Sequence, residues 1–592
     1  MRRRARGRFS AGLQQRHEPR RDSGVQQHGV AKRHGLGHPR QRQCPPVRGE
    51  NVSCFFGTDG IRGEVSLETP GNLEAVQRLE SGRTLTPTFM TMLGQSLARL
   101  HEEWPGEGDT FVIGWDRRPG NARLVAALTA GLRCEGARVV HIGECATPTL
   151  HHAVLSFAAR AGCMITASHN PVTDSGIKVF DANGYKLPPQ QEENISRAVR
   201  LLSHDEPETA ISEHQPFSTP DVEELNWGIT AHRAWLANRW EGFSERFGRW
   251  QGQENGSVSP DFLIDSACGF ASAWLSAFLN EHGVACREVS DPDGVLNDGC
   301  GAGDLSPTAT WTHEEARASS HALLRQLTPA PAGQLVGAAL DGDGDRCLFI
   351  EATEDGFAVV DGDAMGALLL AAGGEQPWSF AASIESDVGL FGRAANLNPD
   401  TVCTETAVGD RWLSFALRPE GGGLLSSDAM PSLCGIEDSG HIVLPAPHPQ
   451  TAHVWSLVGD GAATLCAVLL ASCKELDTPY IRGWKQRRSI QDSHRERWRA
   501  DTALFATTEQ VIFQRMKHLG YAPKRRRISG EEHLLLVHGT APNGAASIGI
   551  RNSGTQAKTS LSVRLSVGVD PKPFEQLMDE LVQKLTAALT TP

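Results

Sequence analysis

At 592 residues the chain is too long for one hydrophobic core, and its length suggests about three to five domains. Hydrophobic residues at 40% and charged residues at 21% place it among ordinary globular proteins, not low-complexity or fibrous ones. Residues 1–50 carry 13 Lys and Arg against 3 Asp and Glu, while the whole chain is at −13, so the remainder is at −23. An acidic body argues against nucleic acid as a main partner; only the basic tail over 1–50, expected to be a disordered extension, keeps that option.

Ordered structure is expected from about Cys54. Residues 110–115 form an apolar run that ends at a loop, which predicts a buried strand. A helix over 121–134 and a strand over 138–142 follow. Residues 162–166 predict a strand that ends in the polar loop Ala167-Ser168-His169-Asn170-Pro171, before a helix over 189–202. This alternation is the rhythm of an α/β domain. Residues 203–258 open polar and then carry Trp227, Trp235, Trp240 and Trp250, which predicts a linker leading into a helical stretch. The rhythm restarts at 261–265, with a helix over 270–282 and strands near 286–289 and 336–340. A third unit runs from about Phe357 to Lys474 and holds a helix over 363–372 and a strand over 379–384. The Arg- and Lys-rich stretch 478–530, ending in Lys524-Arg525-Arg526-Arg527, has no periodicity that assigns it. The last unit opens with a strand over 534–538 and closes with a helix over 571–590. Three restarts of one rhythm are compatible with a diverged repeat.

No run of about 18 apolar residues occurs, so no membrane span is expected. Met1-Arg2-Arg3-Arg4 precedes no apolar signal core. The 13 cysteines include no CxxC pair, which argues against a disulfide framework or zinc site and for a reducing cytoplasm. Cys466 and Cys473 lie in an apolar run and are expected in a core.

Four segments carry groups with chemistry. In Asp341-Gly342-Asp343-Gly344-Asp345-Arg346, three carboxylates alternate with glycines. A near-extended loop would turn alternate side chains to one side, toward one hard cation. The other readings are a solvated acidic turn or a calcium loop, but Ala352 stands where an EF-hand needs its glutamate. In Thr166-Ala167-Ser168-His169-Asn170-Pro171, a serine beside a histidine at a strand end is a candidate nucleophile, or an ordinary turn. Lys178 follows ten residues later and would otherwise be a surface lysine. Glu437, Ser439 and His441, in Ile436-Glu437-Asp438-Ser439-Gly440-His441, can hold sugar hydroxyls or simply form a polar loop. Arg551, Ser553, Gly554 and Thr555, with Lys558 after them, make a candidate phosphate cradle or a glycine turn.

The order of these segments resembles the α-D-phosphohexomutase family. Phe56-Gly57-Thr58-Asp59-Gly60-Ile61-Arg62-Gly63 and Asp116-Arg117-Arg118 resemble it too. Asn297-Asp298-Gly299-Cys300-Gly301 and Val408-Gly409-Asp410-Arg411-Trp412 look most like its phosphoglucosamine mutase branch. Departures occur at Gly301-Ala302-Gly303-Asp304, at Ile436, at Gln556-Ala557 and at Ser560, where the pattern has an arginine; Arg564 is an open candidate to replace it.

The resemblance implies a four-domain α/β architecture, three related α/β domains plus a smaller C-terminal α+β domain around a central cleft. The limits would be 54–205 (phosphoserine loop), 225–350 (metal loop), 355–477 (sugar loop) and 505–592 (phosphate loop). It implies a phosphoryl group on Ser168, one Mg²⁺ held by Ser168, Asp341, Asp343 and Asp345, and a sugar 1,6-bisphosphate as intermediate and activator. Glu437 and Ser439 would bind sugar, and Arg551, Ser553, Gly554 and Thr555 the substrate's phosphate. Lys178, Arg62 and His441 are the candidates for proton transfer, Arg62 rather for charge stabilisation. The substrate would be a hexose or hexosamine phosphate, with glucosamine, glucose and mannose phosphates left open. An inactive homologue acting as a binding subunit and a metal-dependent phosphatase are the other readings.

Overall fold

The computed structural model describes residues 54–205, 219–476, 479–553 and 557–590. The basic tail, Gly554, Thr555 and Gln556 lie outside the described residues. Among the described residues the strands form four sheets of seven, six, six and five strands. No helix among them is long and apolar enough to cross a membrane.

The first three sheets share one plan. In the first, Thr110–Trp115 lies parallel to both Arg138–Glu144 and Ala161–Ile165, and Ala161–Ile165 turns back into antiparallel Asp174–Asp181. In the second, Val258–Asp265 is parallel to Cys286–Glu288 and Leu335–Leu340, and the latter turns into antiparallel Cys347–Ala352. In the third, Ser379–Ser383 is parallel to Val402–Thr406 and Leu433–Ile436, which turns into antiparallel Ile442–Pro447. Each parallel first pair is joined through a helix, as parallel strands require. The Ser168 loop, the Asp341–Asp345 loop and the Glu437 loop therefore occupy the same topological position in three sheets. The fourth sheet is wholly antiparallel: Trp484–Gln491, Lys558–Leu565, Gly544–Asn552, Leu535–Ala541 and Ala522–Arg526.

Three strands fall across the expected domain limits. Val222–Glu223 joins the first sheet, Gly356–Val360 the second, and Trp484–Gln491 the fourth. The last lies in the stretch that carried no periodic signal. The reason is physical: its Lys and Arg side chains meet carboxylates instead of an apolar core. In the cluster 524–527, Arg525 turns inward over the Phe505 ring at 4.8 Å, while Lys524 and Arg526 are exposed.

The Trp-rich stretch forms the helix Trp227–Phe247, which buries Trp235, Leu236, Trp240, Phe243 and Phe247. Each buried aromatic contributes about 2–3 kcal/mol. Its partner is Gly461–Ser472, a helix buried along nearly its whole length, Cys466 included. The helix predicted over 270–282 is two pieces, a 3-10 turn Phe270–Ala273 and the helix Leu275–Glu281. Trp274 breaks it, with φ −145° and an indole buried 5.1 Å from the His232 ring.

Candidate active site

Ser168 stands just past its strand in a left-handed conformation, φ +52°. A non-glycine residue there costs about 1–3 kcal/mol and needs neighbours that impose it. They are present. The Ser168 amide donates to Thr166 Oγ1 at 2.8 Å, and the Thr166 hydroxyl donates to Asp116 at 2.6 Å. The Ser168 carbonyl accepts from Arg118 at 2.7 Å and from Asn297 Nδ2 at 2.8 Å. Arg118 is itself buried against Asp116 at 2.9 Å. Asp116 and Arg118 thus act as a clamp on the serine loop. The Ser168 hydroxyl accepts from Arg62 at 3.0 Å. His169 packs against Gly303, where a Cβ would come within 2.6 Å of the His169 Cβ. Arg346, followed by burial, pushes His169 down to about 3, so its ring stays neutral.

The metal loop is not extended. It curls into a turn around Asp341, whose Oδ1 accepts from the amides of Asp345 and Arg346 at 3.2 Å each, and Gly344 takes φ +70°. The carboxylates still converge: one oxygen from each of Asp341, Asp343 and Asp345 lies within 4.8 Å of the others, all buried. Among the described residues this is the single such cluster. Asp341 Oδ2 and Asp343 Oδ1 are buried without any hydrogen-bond partner, so two ligand oxygens remain for a hard cation. Burial, with Asp345 and Asp343 beside it, pushes Asp341 up to about 8.

Lys178 is no surface lysine. Its Nζ lies 2.7 Å from Asp343, 2.7 Å from Asp345 and 3.1 Å from Asp59, and the residue is almost wholly buried. Burial works against its charge, but Asp343, Asp345 and Asp59 outweigh it and hold its pKa well above the ordinary lysine value. His441 lies 3.5 Å from Asp345 and 3.3 Å from Asp410. Burial again opposes the charge, and the two aspartates outweigh it, raising His441 to about 10. Both groups are therefore held as cations that donate hydrogen bonds to these carboxylates. Asp410 lies 2.6 Å from Lys186, which reaches back to Asp59. The result is a closed ring, Asp59–Lys178–Asp345–His441–Asp410–Lys186, in which three acids alternate with three cations. It ties the first three sheets together.

Above this ring opens a cavity of about 470 Å³, within the range of small-ligand sites. Asp59, Arg62, His169, Lys186, Arg346 and Asp410 line it with Glu437 and His441. Burial raises the Glu437 pKa, and its carboxylate accepts from the Gly409 amide. Ser439 Oγ reaches Glu437 only at 3.5 Å and does not line the cavity. Arg551 does not line it either; its guanidinium lies 3.1 Å from Glu385 and 3.7 Å from Glu531. The Ser553 amide donates to the Lys558 carbonyl at 2.7 Å, and Gly554 and Thr555 lie outside the described residues. Arg564 turns away to Glu405, the Ser386 carbonyl and Ser547.

Asp59, Asp410, Lys186 and Asn297 are the members that sequence reasoning did not assign. Three of them stand inside segments whose resemblance was noted, which was a usable signal; Lys186 stands in none.

Known proteins resemble this chain closely enough to compare. Residues 54–204 match the family model "Phosphoglucomutase/phosphomannomutase, alpha/beta/alpha domain I". A phosphoglucosamine mutase of Kineococcus radiotolerans is 31% identical over 420 residues, covering 70% of this chain and 77% of that protein. One from Frankia casuarinae is 34% identical over 422 residues, with 70% and 77% covered. The crystal structure of a phosphoglucomutase/phosphomannomutase family protein from Burkholderia thailandensis has the same fold, with TM-score 0.57 at 17% identity, covering 91% of this chain and 99% of that one.

Proposed function

The chain belongs to the α-D-phosphohexomutase family, and we propose that it interconverts glucosamine 6-phosphate and glucosamine 1-phosphate through a phosphoserine at Ser168. The observation that carries the reading is one cavity bordered by loops from three sheets: His169 and Asn170, next to the strained Ser168; Arg346, next to the carboxylate triad; and Glu437. The choice of sugar rests on the names of the relatives.

In this reading the sugar hydroxyl attacks the phosphorus held on Ser168, the P–Oγ bond breaks, a sugar bisphosphate forms, and the proton lost by the hydroxyl ends on the freed Ser168 oxygen. The bisphosphate turns over in the cleft, and its other phosphate returns to the Ser168 oxygen. Arg62, already on the Ser168 hydroxyl, stabilises the charge of the moving phosphoryl group. Lys178 and His441 bring positive charge and hydrogen-bond donors to the developing oxyanions. Glu437 accepts hydrogen bonds from sugar hydroxyls, and Arg551 with Ser553, Gly554 and Thr555 holds the phosphate that is not reacting. Asp341, Asp343 and Asp345 would hold Mg²⁺, which supplies charge neutralisation at the phosphoryl group. A sugar 1,6-bisphosphate would prime the enzyme by phosphorylating Ser168.

The test is mutase activity of the purified protein with Mg²⁺ and a bisphosphate activator on glucosamine, glucose and mannose 6-phosphates. The highest kcat/KM on glucosamine 6-phosphate is expected. A preference for either other sugar overturns the choice of sugar, and phosphate release without isomerisation overturns the mutase reading.

A further inference from the structure

Behind the cleft, two thiols meet. Cys268 Sγ and Cys300 Sγ lie 3.7 Å apart, and both residues are buried. Both cysteines are free, and among the described residues no other two cysteine sulfurs touch. Cys268 follows the strand Val258–Asp265, in a left-handed turn with Ala267 at φ +57° and Cys268 at +53°. Cys300 stands in the turn Asn297-Asp298-Gly299-Cys300-Gly301. The Asn297 amide donates to the Ala267 carbonyl at 3.0 Å, and the Gly301 amide to Asp265 at 2.8 Å. These two bonds bracket Cys300 and fix the turns against each other, so the thiols face one another by backbone placement.

Both turns back onto the serine and metal loops. Asn297 Nδ2 donates to the Ser168 carbonyl at 2.8 Å and to the Asn170 carbonyl at 3.3 Å. A Cβ on Gly342, between Asp341 and Asp343, would come within 2.7 Å of the Asn297 side chain. A Cβ on Gly269, next to Cys268, would come within 2.7 Å of the Gly342 carbonyl oxygen. Packing this close passes a displacement on instead of absorbing it. Movement at Cys300 therefore reaches Asn297, three residues away, and through it the serine loop. Solvent is near on the other side. A Cβ on Gly294 would come within 2.8 Å of Cys268 Sγ, and Asp291, Pro292, Asp293 and Val295 around that glycine are exposed.

We propose that Cys268 and Cys300 form a reversible disulfide on exposure to hydrogen peroxide, and that this crosslink loosens the hold of Asn297 on the serine loop. Cys268 is the member a small oxidant reaches: 7% of its surface is exposed against 2% for Cys300. The Cys300 thiol beside it also holds its pKa below the ordinary thiol value, which favours the reactive thiolate. The Cys268 sulfur attacks one peroxide oxygen, the O–O bond breaks, and the hydroxide released takes up the proton that Cys268 lost, giving water. The Cys300 sulfur then attacks the Cys268 sulfur, the S–OH bond breaks, and the leaving hydroxide takes the Cys300 proton as a second water. Two electrons pass from the two thiols to the peroxide. The sulfurs close from 3.7 Å to about 2.05 Å, so the two turns are drawn together.

The experiment exposes the full chain to hydrogen peroxide, beside Cys268→Ala and Cys300→Ala. Peptide mapping by mass spectrometry without reductant reads the crosslink, and amide exchange over residues 166–171 reads the serine loop; neither needs a substrate. The wild type is expected to give a Cys268–Cys300 crosslinked peptide that dithiothreitol removes, with exchange over 166–171 about 10-fold faster while the crosslink lasts. Turnover of the best hexose 6-phosphate should fall about 10- to 100-fold in step with the crosslink and return with dithiothreitol, as for a small misplacement of a reacting group. Each variant should keep its loop exchange and turnover under the same treatment. Peroxide that oxidises other cysteines and leaves this pair reduced overturns the proposal. So does a crosslink that leaves exchange over 166–171 unchanged, or an equal loss of turnover in Cys300→Ala. A wild type that turns over no hexose phosphate removes the mutase reading alone, and the crosslink and the exchange then decide.

Discussion

The cleft at Ser168 and the face of the fourth sheet are both built from close pairs of opposite charge, but their connectivity differs. In the cleft, acids and cations alternate around a closed ring drawn from three sheets, and each member has two opposite neighbours. On the fourth sheet the cations come from one side and the carboxylates from the other: Lys485 faces Asp361, Asp363 and Asp438, while Arg551 and Arg487 face Glu385. A ring fixes side chains for chemistry at one place. Two complementary faces can part and let another anion in. Under the proposed function, the closed ring suits the step that breaks a bond.

The largest expected effect falls at the serine loop beside the ring. Ser168→Ala should lower turnover by about 10⁴-fold or more, with the urea midpoint little altered; a purified variant that keeps wild-type turnover would remove Ser168 from the chemistry. Next, Asp343→Ala should lower activity by about 10²- to 10³-fold and raise the Mg²⁺ concentration needed for half-maximal rate. An unchanged Mg²⁺ titration would take the metal away from this loop. Third, Asp59→Asn leaves Lys178, Lys186 and Arg62 without a shared counterion and should cost about 3 kcal/mol of stability, read from urea unfolding. A loss below about 0.5 kcal/mol, the range of ordinary surface substitutions, would mean that the ring closes without Asp59.

The smallest effect is in pH and lies away from both regions. Burial holds His141 and His151 down to about 4 and His152 to about 3. In the unfolded chain these groups take a proton near their ordinary 6.5, so the unfolded state binds protons first as pH falls. The stability they contribute is complete above about 6.5 and is lost progressively toward 4. The urea midpoint should therefore drop between pH 7.5 and pH 5, and His152→Phe should flatten that slope.

Much of the fold was legible because three units follow one rule: apolar strands bounded by loops, alternating with helices. The strands Thr110–Trp115 and Leu335–Leu340 stand close to where their apolar runs put them. Trp484–Gln491 was not legible, since hydropathy reports water-avoiding faces and this strand carries Lys485, Arg487 and Arg488 toward carboxylates. The three aspartates stood out by their alternation with glycine, whereas Ser168 stood out only through the order of the motifs. Lys178 was singled out by the resemblance alone, because its surroundings come from Asp343 and Asp345, more than 160 residues away. The extended metal loop was a plausible local geometry that lost to the two amides gathered by Asp341.

The ring also has an evolutionary consequence. Replacing any one of its six members by a neutral residue leaves two opposite charges short of a partner, on different sheets for every member but Asp59. Buried groups that share partners do not respond additively to substitution. A second change elsewhere in the ring can therefore restore what the first one lost, even when each alone is harmful. Homologous chains are expected to vary these positions in compensating pairs or leave them unchanged, so the six form one heritable unit spread over three sheets.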